Sequence, residues 1–280
     1  MKTWSLRFSL SICSILLCGL VGQSQILFEF ASESEFSNNF VESGFSAGPD
    51  YFHSTAPGVG TVPGRVESGF YTETLVLNRP LGFAGESTLA MSTSFGYRPY
   101  TYSGRVGNEL LRIGVVDSIS GDGIYPFGQG AYLAVGLAVG PDGISRTLLV
   151  QSKPSSAQRA TTDYSASFSL DPGIHQLAGE WTLLGSDTFQ YSVSLYSQSA
   201  DGTGLPILLA RFSGSVTNAA LASDSAIFAA LRFARSEPFM DWIDNVAIIP
   251  ELAPSALLLP SLLLLAAFSR RRLRAARRFR

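Results

Sequence analysis

A period of two limits what this chain can fold into more than any other feature. Phe189, Tyr191, Val193 and Leu195 alternate with Gln190, Ser192 and Ser194, which gives one strand an apolar face and a wet face. Leu89, Met91 and Thr93 alternate with Ala90, Ser92 and Ser94 in the same way. Further runs of this kind are Ile26–Phe30, Phe70–Leu77, Asn108–Val116, Ala131–Val139, Ile144–Val150, Tyr164–Leu170, Ile174–Leu184, Ile207–Val216, Ala226–Arg235 and Trp242–Ile249, making twelve candidate strands. Turn dipeptides separate them, among them Gly121-Asp122-Gly123, Pro141-Asp142-Gly143, Asp171-Pro172-Gly173, Gly185-Ser186-Asp187 and Asp201-Gly202. Strands joined by short turns pair antiparallel, so residues 25–249 are expected to form one all-β domain, a two-sheet jelly-roll sandwich. Two smaller immunoglobulin-like sandwiches are the alternative. Asn218–Ser223 reads as one helical turn, and Arg98–Arg105 and Gln151–Asp163 as the long loops.

The two ends read differently from the middle. Lys2 and Arg7 precede an apolar run from Phe8 to Val21, and Gly22-Gln23-Ser24 supplies small residues before Gln25. That is the layout of a secretory signal over 1–24, the alternative being a retained membrane anchor. The chain's 2 cysteines, Cys13 and Cys18, both fall inside it, so the exported part is expected to carry no thiol, disulfide or cysteine metal site. Residues 252–268 form a second apolar segment, long enough at about 1.5 Å per residue to reach across a thin bilayer as a helix. Pro260 would kink that helix. Seven arginines follow within 270–280, the first three being Arg270, Arg271 and Arg272, and hold that end on the cytoplasmic side. A buried core helix is the other reading of 252–268, but core helices do not usually end in an arginine cluster.

This terminus, Pro250-Glu251, then Leu252 to Phe268, then Arg270 to Arg280, resembles the PEP-CTERM sorting signal, also known as the ice-binding protein C-terminal motif. The resemblance covers 250–280 and departs from the family at Leu252, where a second proline is usual. It implies an exported protein of a Gram-negative, exopolysaccharide-producing bacterium. It also implies an exosortase-type membrane protease as partner, and a cell-envelope location with at least a transient inner-membrane anchor. The middle is similar to the concanavalin A-like/laminin G-like sandwiches that often accompany this signal, through Gly179-Glu180-Trp181-Thr182-Leu183, Phe189–Tyr196 and the closing Trp242–Ile248. That likeness implies that the first and last strands pair.

Composition and motif spacing leave little room for chemistry. Hydrophobic residues make up 46% and charged residues 15%, and the 27 Gly and 14 Pro argue against a helical bundle. The middle holds 11 basic and 21 acidic residues, a net charge near −10 that repels nucleic-acid backbones. Gly44-Phe45-Ser46-Ala47-Gly48 fits the nucleophile-elbow spacing, but Pro49-Asp50 blocks the helix that must follow, which leaves a glycine-rich loop. The 2 histidines, His53 and His175, are too few for a histidine metal site. His53 reads as a loop residue and His175 as a strand residue. Glycoside hydrolysis needs two facing carboxylates. Asp241 and Asp244, three apart on a strand, would face opposite ways, and Glu33 and Glu35 sit in a serine-rich stretch. The turns at Ser120 and Asp122 and at Asp201 and Thr203 are candidate ligands for a structural calcium. Tyr97, Tyr100 and Tyr102 beside Arg98 are the candidate glycan contacts, with Tyr97 facing the core as the competing arrangement.

The reading is thus a non-catalytic, exported sandwich without cofactor, serving as a structural component of the envelope or its matrix. The alternative is an exopolysaccharide-binding module, and an envelope hydrolase ranks third. Mass spectrometry of the native protein is expected to find a first residue near Gln25; an intact Met1 terminus in a membrane fraction would select the retained anchor, and an intact Met1 terminus in cytosol would remove the export reading.

Overall fold

The computed structural model describes residues 26–44, 52–53, 65–67, 72–81, 88–97, 109–118, 130–155, 157–199, 204–224, 226–234 and 240–251. In chain order the elements are β1 (Ile26–Phe28), α1 (Glu33–Asn39), β2 (Phe40–Gly44), β3 (Phe52–His53), β4 (Arg65–Glu67), β5 (Thr72–Leu77), β6 (Thr88–Tyr97), β7 (Glu109–Val116), β8 (Tyr132–Val139), β9 (Arg146–Lys153) and β10 (Thr161–Tyr164). There follow β11 (Gly173–Leu184), β12 (Thr188–Gln198), β13 (Ile207–Thr217), α2 (Ala219–Ser223), β14 (Phe228–Ala234) and β15 (Met240–Glu251). They build two antiparallel sheets. One holds eight strands in the order β13-β12-β11-β6-β15-β4-β3, with β1 also on β15; the other holds seven in the order β10-β9-β8-β7-β14-β5-β2. The first and last strands pair as expected, Ile26 with Ile248 and Phe28 with Val246. Segments 1–25 and 252–280 lie outside the described residues, and among those described no helix is long and apolar enough to cross a membrane.

The period-two rows become the core. Phe189, Tyr191, Val193 and Leu195 of β12 lie beside Leu177, Trp181 and Leu183 of β11, all buried. The facing sheet contributes Leu133, Val135 and Leu137 of β8 with Leu111, Ile113 and Val115 of β7. The two layers interlock at Gly179: a Cβ there would sit 2.5 Å from Val135 Cγ2 and 2.9 Å from Trp181. Burying side chains of this size contributes about 1.5–3 kcal/mol each, which lets the sandwich stand without a cross-link.

Turn chemistry closes the hairpins. Gly185 takes φ +71 between β11 and β12, and Gly143 takes φ +72 between β8 and β9, conformations that favour glycine. In the second turn Asp142 Oδ1 accepts from the Ile144 N–H (2.9 Å), the Ser145 N–H (2.7 Å) and the Ser145 hydroxyl (2.7 Å). These bonds, led by the Ser145 hydroxyl, pull its carboxyl from 3.8 down to about 2.

Three short strands, β2, β3 and β4, add to the expected twelve, and α1 occupies a stretch with no period-two signal. Ser32 caps α1 by accepting the Glu35 N–H, while Glu35 carboxylate oxygens accept from the Glu29 and Ala31 N–H groups. Glu35 is therefore spent on local structure.

The region expected as a loop at 151–163 followed by a strand at 164–170 is shifted. β9 runs on to Lys153, β10 occupies Thr161–Tyr164, and beyond it only Phe168 bridges back to Arg146. Ser165 explains the break: its hydroxyl takes the Leu148 N–H (2.9 Å) that a continuing ladder would use. His53 lies in β3, not in a loop, and β15 extends through Pro250 and Glu251, two residues beyond the expected domain limit.

Asn218 fastens the β13–α2 corner to the seven-stranded sheet. Its fully buried amide donates to Tyr132 O (3.1 Å), Ser152 Oγ (3.1 Å) and Lys153 O (3.2 Å), and its Oδ1 accepts from the Leu221 N–H.

Two outcomes follow from these contacts. Asn218→Ala leaves buried carbonyls without a donor and is expected to cost about 2–3 kcal/mol in urea unfolding. Asp142, depressed in the folded state, contributes stability that is present above pH 4 and lost as pH falls toward about 2. The gap in melting temperature between the parent and Asp142→Asn should therefore close over that window.

Candidate functional site

The two sheets present different outer faces. On the seven-stranded sheet the outward row is itself buried: Tyr132, Ala134, Val76, Val116 and Ala230 form a second apolar cluster there. Beside it stands a charged group. Glu109 pairs with Arg112 and lies 3.5 Å from Arg232, Gln151 Nε2 donates to Glu109 (2.6 Å), and the Tyr132 hydroxyl donates to Gln151 (3.2 Å). Arg112 also lies over the Tyr132 ring at 5.7 Å. Burial lowers the Arg112 guanidinium to about 10 and raises the Tyr132 phenol. This network on a buried face is architecture.

The outer face of the eight-stranded sheet is polar and open. Strand register sets its side chains in rows across β13, β12, β11, β6 and β15. One row reads Ser213, Ser192, Glu180, Ala90, Ile249; the next reads Arg211, Ser194, Ala178, Ser92, Ala247; a third continues with Tyr196, Gln176, Ser94, Asp244. Because the middle row is small, it sinks into a hollow of about 240 Å³ lined by Ser92, Ala178, Glu180, Ser192, Ser194, Tyr196, Arg211, Ala247 and Ile249, among others.

The hollow's polar groups are aimed and only partly engaged. Arg211 Nε donates to Ser192 Oγ (3.0 Å), Gln176 Nε2 donates to Ser92 Oγ (3.4 Å), and Ser94 Oγ donates to Gln198 Oε1 (2.8 Å). Glu180 and Arg211, both exposed, stand on β11 and β13, two strand spacings or about 10 Å apart. The hollow thus offers a carboxylate at one side, a guanidinium at the other, serine hydroxyls between them and the half-buried ring of Tyr196 above.

The residues singled out from the sequence mostly lie elsewhere. Tyr97 does not face solvent: it is buried at the end of the core, where the Arg146 guanidinium lies 5.4 Å from its ring and burial raises its phenol. Its neighbour His175 is also inside, Nε2 2.9 Å from Asp171 O, with its imidazole pushed below the usual range by burial.

Asp244 is buried on β15, its Oδ1 accepting the N–H of Asn245, which takes φ +49 where the pairing with β6 slips. Trp242 crosses Gly96, where a Cβ would come within 2.4 Å of the indole. Pro250 and Glu251 pair with Leu89 and Thr88 at the end of the sheet. Tyr100, Tyr102, residues 45–48, the turns at Ser120, Asp122, Asp201 and Thr203, and Arg270, Arg271 and Arg272 lie outside the described residues. Among the described residues no three His, Cys, Asp or Glu side chains come together as a metal site.

The hollow itself was missed because it belongs to five strands at once. Its signal was the small-polar half of the period-two pattern, Ser92, Ser192 and Ser194, read as a wet face and no further.

No protein-family model matches the chain, and no curated protein matches it. Among solved structures it is similar to a legume lectin-like domain from Entamoeba histolytica, at 6% identity over 81% of this chain and 97% of that one, with a TM-score of 0.48. It is also similar to lectin I from Ulex europaeus in complex with the methyl glycoside of α-L-fucose, at 10% identity over 81% and 98%, TM-score 0.46. The globular domain of T. cruzi calreticulin gives 11% identity over 84% and 90%, TM-score 0.46. Likenesses this distant identify neither ligand nor activity; the architecture stands on the strand pairing.

Proposed function

We propose that this chain is an exported, non-catalytic β-sandwich protein that binds an extracellular polysaccharide in the hollow of its eight-stranded sheet. The observation that carries this reading is the hollow's lining: serine hydroxyls on the floor, Tyr196 at the side, and separated Glu180 and Arg211 charges. Sugars present alternating hydroxyl edges and C–H faces, which this mixture of small polar groups and one aromatic ring complements. The trough crosses the strands from Ala247 to Arg211, four strand spacings or about 19 Å, room for several sugar units of a linear chain.

The non-catalytic part is supported by the carboxylate count. Among the described residues Glu180 is the one carboxylate lining the hollow, whereas glycoside hydrolysis requires two flanking the bond.

Delivery is proposed from the termini. Segment 1–24 directs export; 250–280 acts as a sorting segment of the PEP-CTERM type, holding the protein at the inner membrane until an exosortase-type protease acts on it. The polysaccharide class is then the host's own exopolysaccharide. Structural calcium at the Ser120, Asp122, Asp201 and Thr203 turns is a subsidiary proposal.

Affinity electrophoresis of the detergent-purified full chain through gels containing host exopolysaccharide tests the binding. The parent is expected to be retarded. Tyr196→Ala should weaken retardation about tenfold, and Ala178→Phe, which fills the floor from the solvent side, should abolish it with an unchanged melting temperature. Equal retardation of the parent and Ala178→Phe would place the ligand elsewhere.

A further inference from the structure

The hollow's two charged side chains are committed to nothing else in the fold. Arg211 gives its Nε–H to Ser192 Oγ (3.0 Å), and among the described residues its other N–H groups have no partner. Glu180 forms no hydrogen bond or ion pair there, with Arg211 or with any other group. Four other arginines of the domain are engaged: Arg112 and Arg232 share Glu109, Arg146 donates to the carbonyls of Ile144 and Ser145, and Arg65 lies 5.6 Å from the Trp242 ring. In a domain where acids outnumber bases, a guanidinium fixed at one nitrogen and open at the others is prepared for an incoming anion.

Strand register brings that guanidinium toward Glu180. Ser192, which holds Arg211 Nε, stands directly across from Glu180 in the β11–β12 ladder, one strand spacing or about 5 Å away. Arg211 therefore reaches from its own row toward the row of Glu180. A cation and a carboxylate then face the same stretch of trough, with Ser192 and Ser194 on the strand between them.

We propose that the hollow selects an acidic polysaccharide, one whose uronate units are separated by neutral sugars. This selection rests on the polysaccharide reading above and narrows it. A uronate ring carries its carboxylate on one side and free hydroxyls on the other. The open fork of Arg211 takes the carboxylate through two parallel N–H···O bonds. Glu180, which can only accept, takes hydrogen bonds from the hydroxyls on the far side of the ring. The spacing follows from the charges present. Arg211 is the one cation among the described residues lining the trough, so a carboxylate on the next unit would lie beside Glu180 without a counter-charge.

The test is affinity electrophoresis of the detergent-purified full chain at one ionic strength, through three polymers. These are host exopolysaccharide, the same polymer with its carboxyl groups reduced to alcohols, and polygalacturonate, which is charged at every unit. The native polymer is expected to retard the parent about tenfold or more strongly than the reduced one. Arg211→Gln should remove that preference, and Arg211→Lys, which keeps the charge but not the fork, should retain only part of it. Glu180→Gln should gain affinity for polygalacturonate while losing affinity for the native polymer. A merely structural role for Glu180 would produce no such exchange.

Equal retardation by the native and reduced polymers, as a sulfated ligand would give, overturns the selection and leaves the polysaccharide reading standing. So does a preference that Arg211→Gln does not change, because the carboxylate would then sit on another surface. Stronger retardation by polygalacturonate than by the native polymer overturns the spacing of the uronates. No retardation by any of the three sinks the polysaccharide reading itself.

Discussion

The sandwich depends on one contact, the meeting of the inner rows of its two sheets around Trp181, Gly179 and Val135. No covalent link supports it, since both cysteines stand in the first eighteen residues. Gly179 has no side chain where Val135 presses, and the indole of Trp181 fills the space beside it. Enlarging residue 179 would push the layers apart; shrinking Trp181 would open a cavity costing about 3–5 kcal/mol. The alternation read from the sequence exists to serve this contact. A slip of one residue in β11 or β12 would turn Leu177, Trp181, Phe189 and Val193 out to water together.

Fixing the inner rows determines what the outer rows are free to do, and the two sheets use that freedom differently. β8 is buried on both faces from Tyr132 to Val139, so its outward positions carry Ala134, Gly136 and Ala138, and the two guanidiniums nearby share the Glu109 carboxylate. In β11 the outward positions Gln176, Glu180 and Thr182 are exposed or half-buried; Gln176 and Thr182 bond across to Ser92 and Thr88, while Glu180 stands exposed. The proposed binding rests on this difference. A charged network under cover stabilises the protein, whereas similar groups on an open, small-floored face remain available to a ligand.

Most of the fold was legible because burial writes itself into single strands. The runs that became β6, β11, β12 and β13 carry their own alternation, those that became β7 and β8 are near-continuous apolar runs of strand length, and the pairing of first and last strands appeared as expected. What was not legible depended on side chains competing with the backbone or on register between distant strands. Ser165 halts a ladder that the apolar spacing of Tyr164, Phe168 and Leu170 would extend. Ser32 and Glu35 start a helix through a spacing that was present in the sequence but read for charge alone. Tyr97 shows the converse: an aromatic cluster looks like a binding face until parity along β6, with Thr93, Phe95 and Tyr97 turned inward, assigns it to the core. The hollow needs five strands in register, and no linear window contains it.

The position of Pro250 and Glu251 ties the fold to the proposed sorting step. Both lie in the last two pairs of β15, against Leu89 and Thr88, with segment 252–280 following directly. Recognition of this dipeptide by a membrane protease would require the pair to leave the sheet. The fold makes that departure inexpensive, because proline brings no N–H to the ladder and a strand end frays more readily than its middle. It also sets a limit: peeling beyond Ile249 would begin to expose Ile248, which is fully buried and paired with both Ile26 and Met91. Under the proposed processing, the boundary between tail and intact sandwich would therefore fall within about two residues of where the sheet ends, because the covering of Ile248 holds it there.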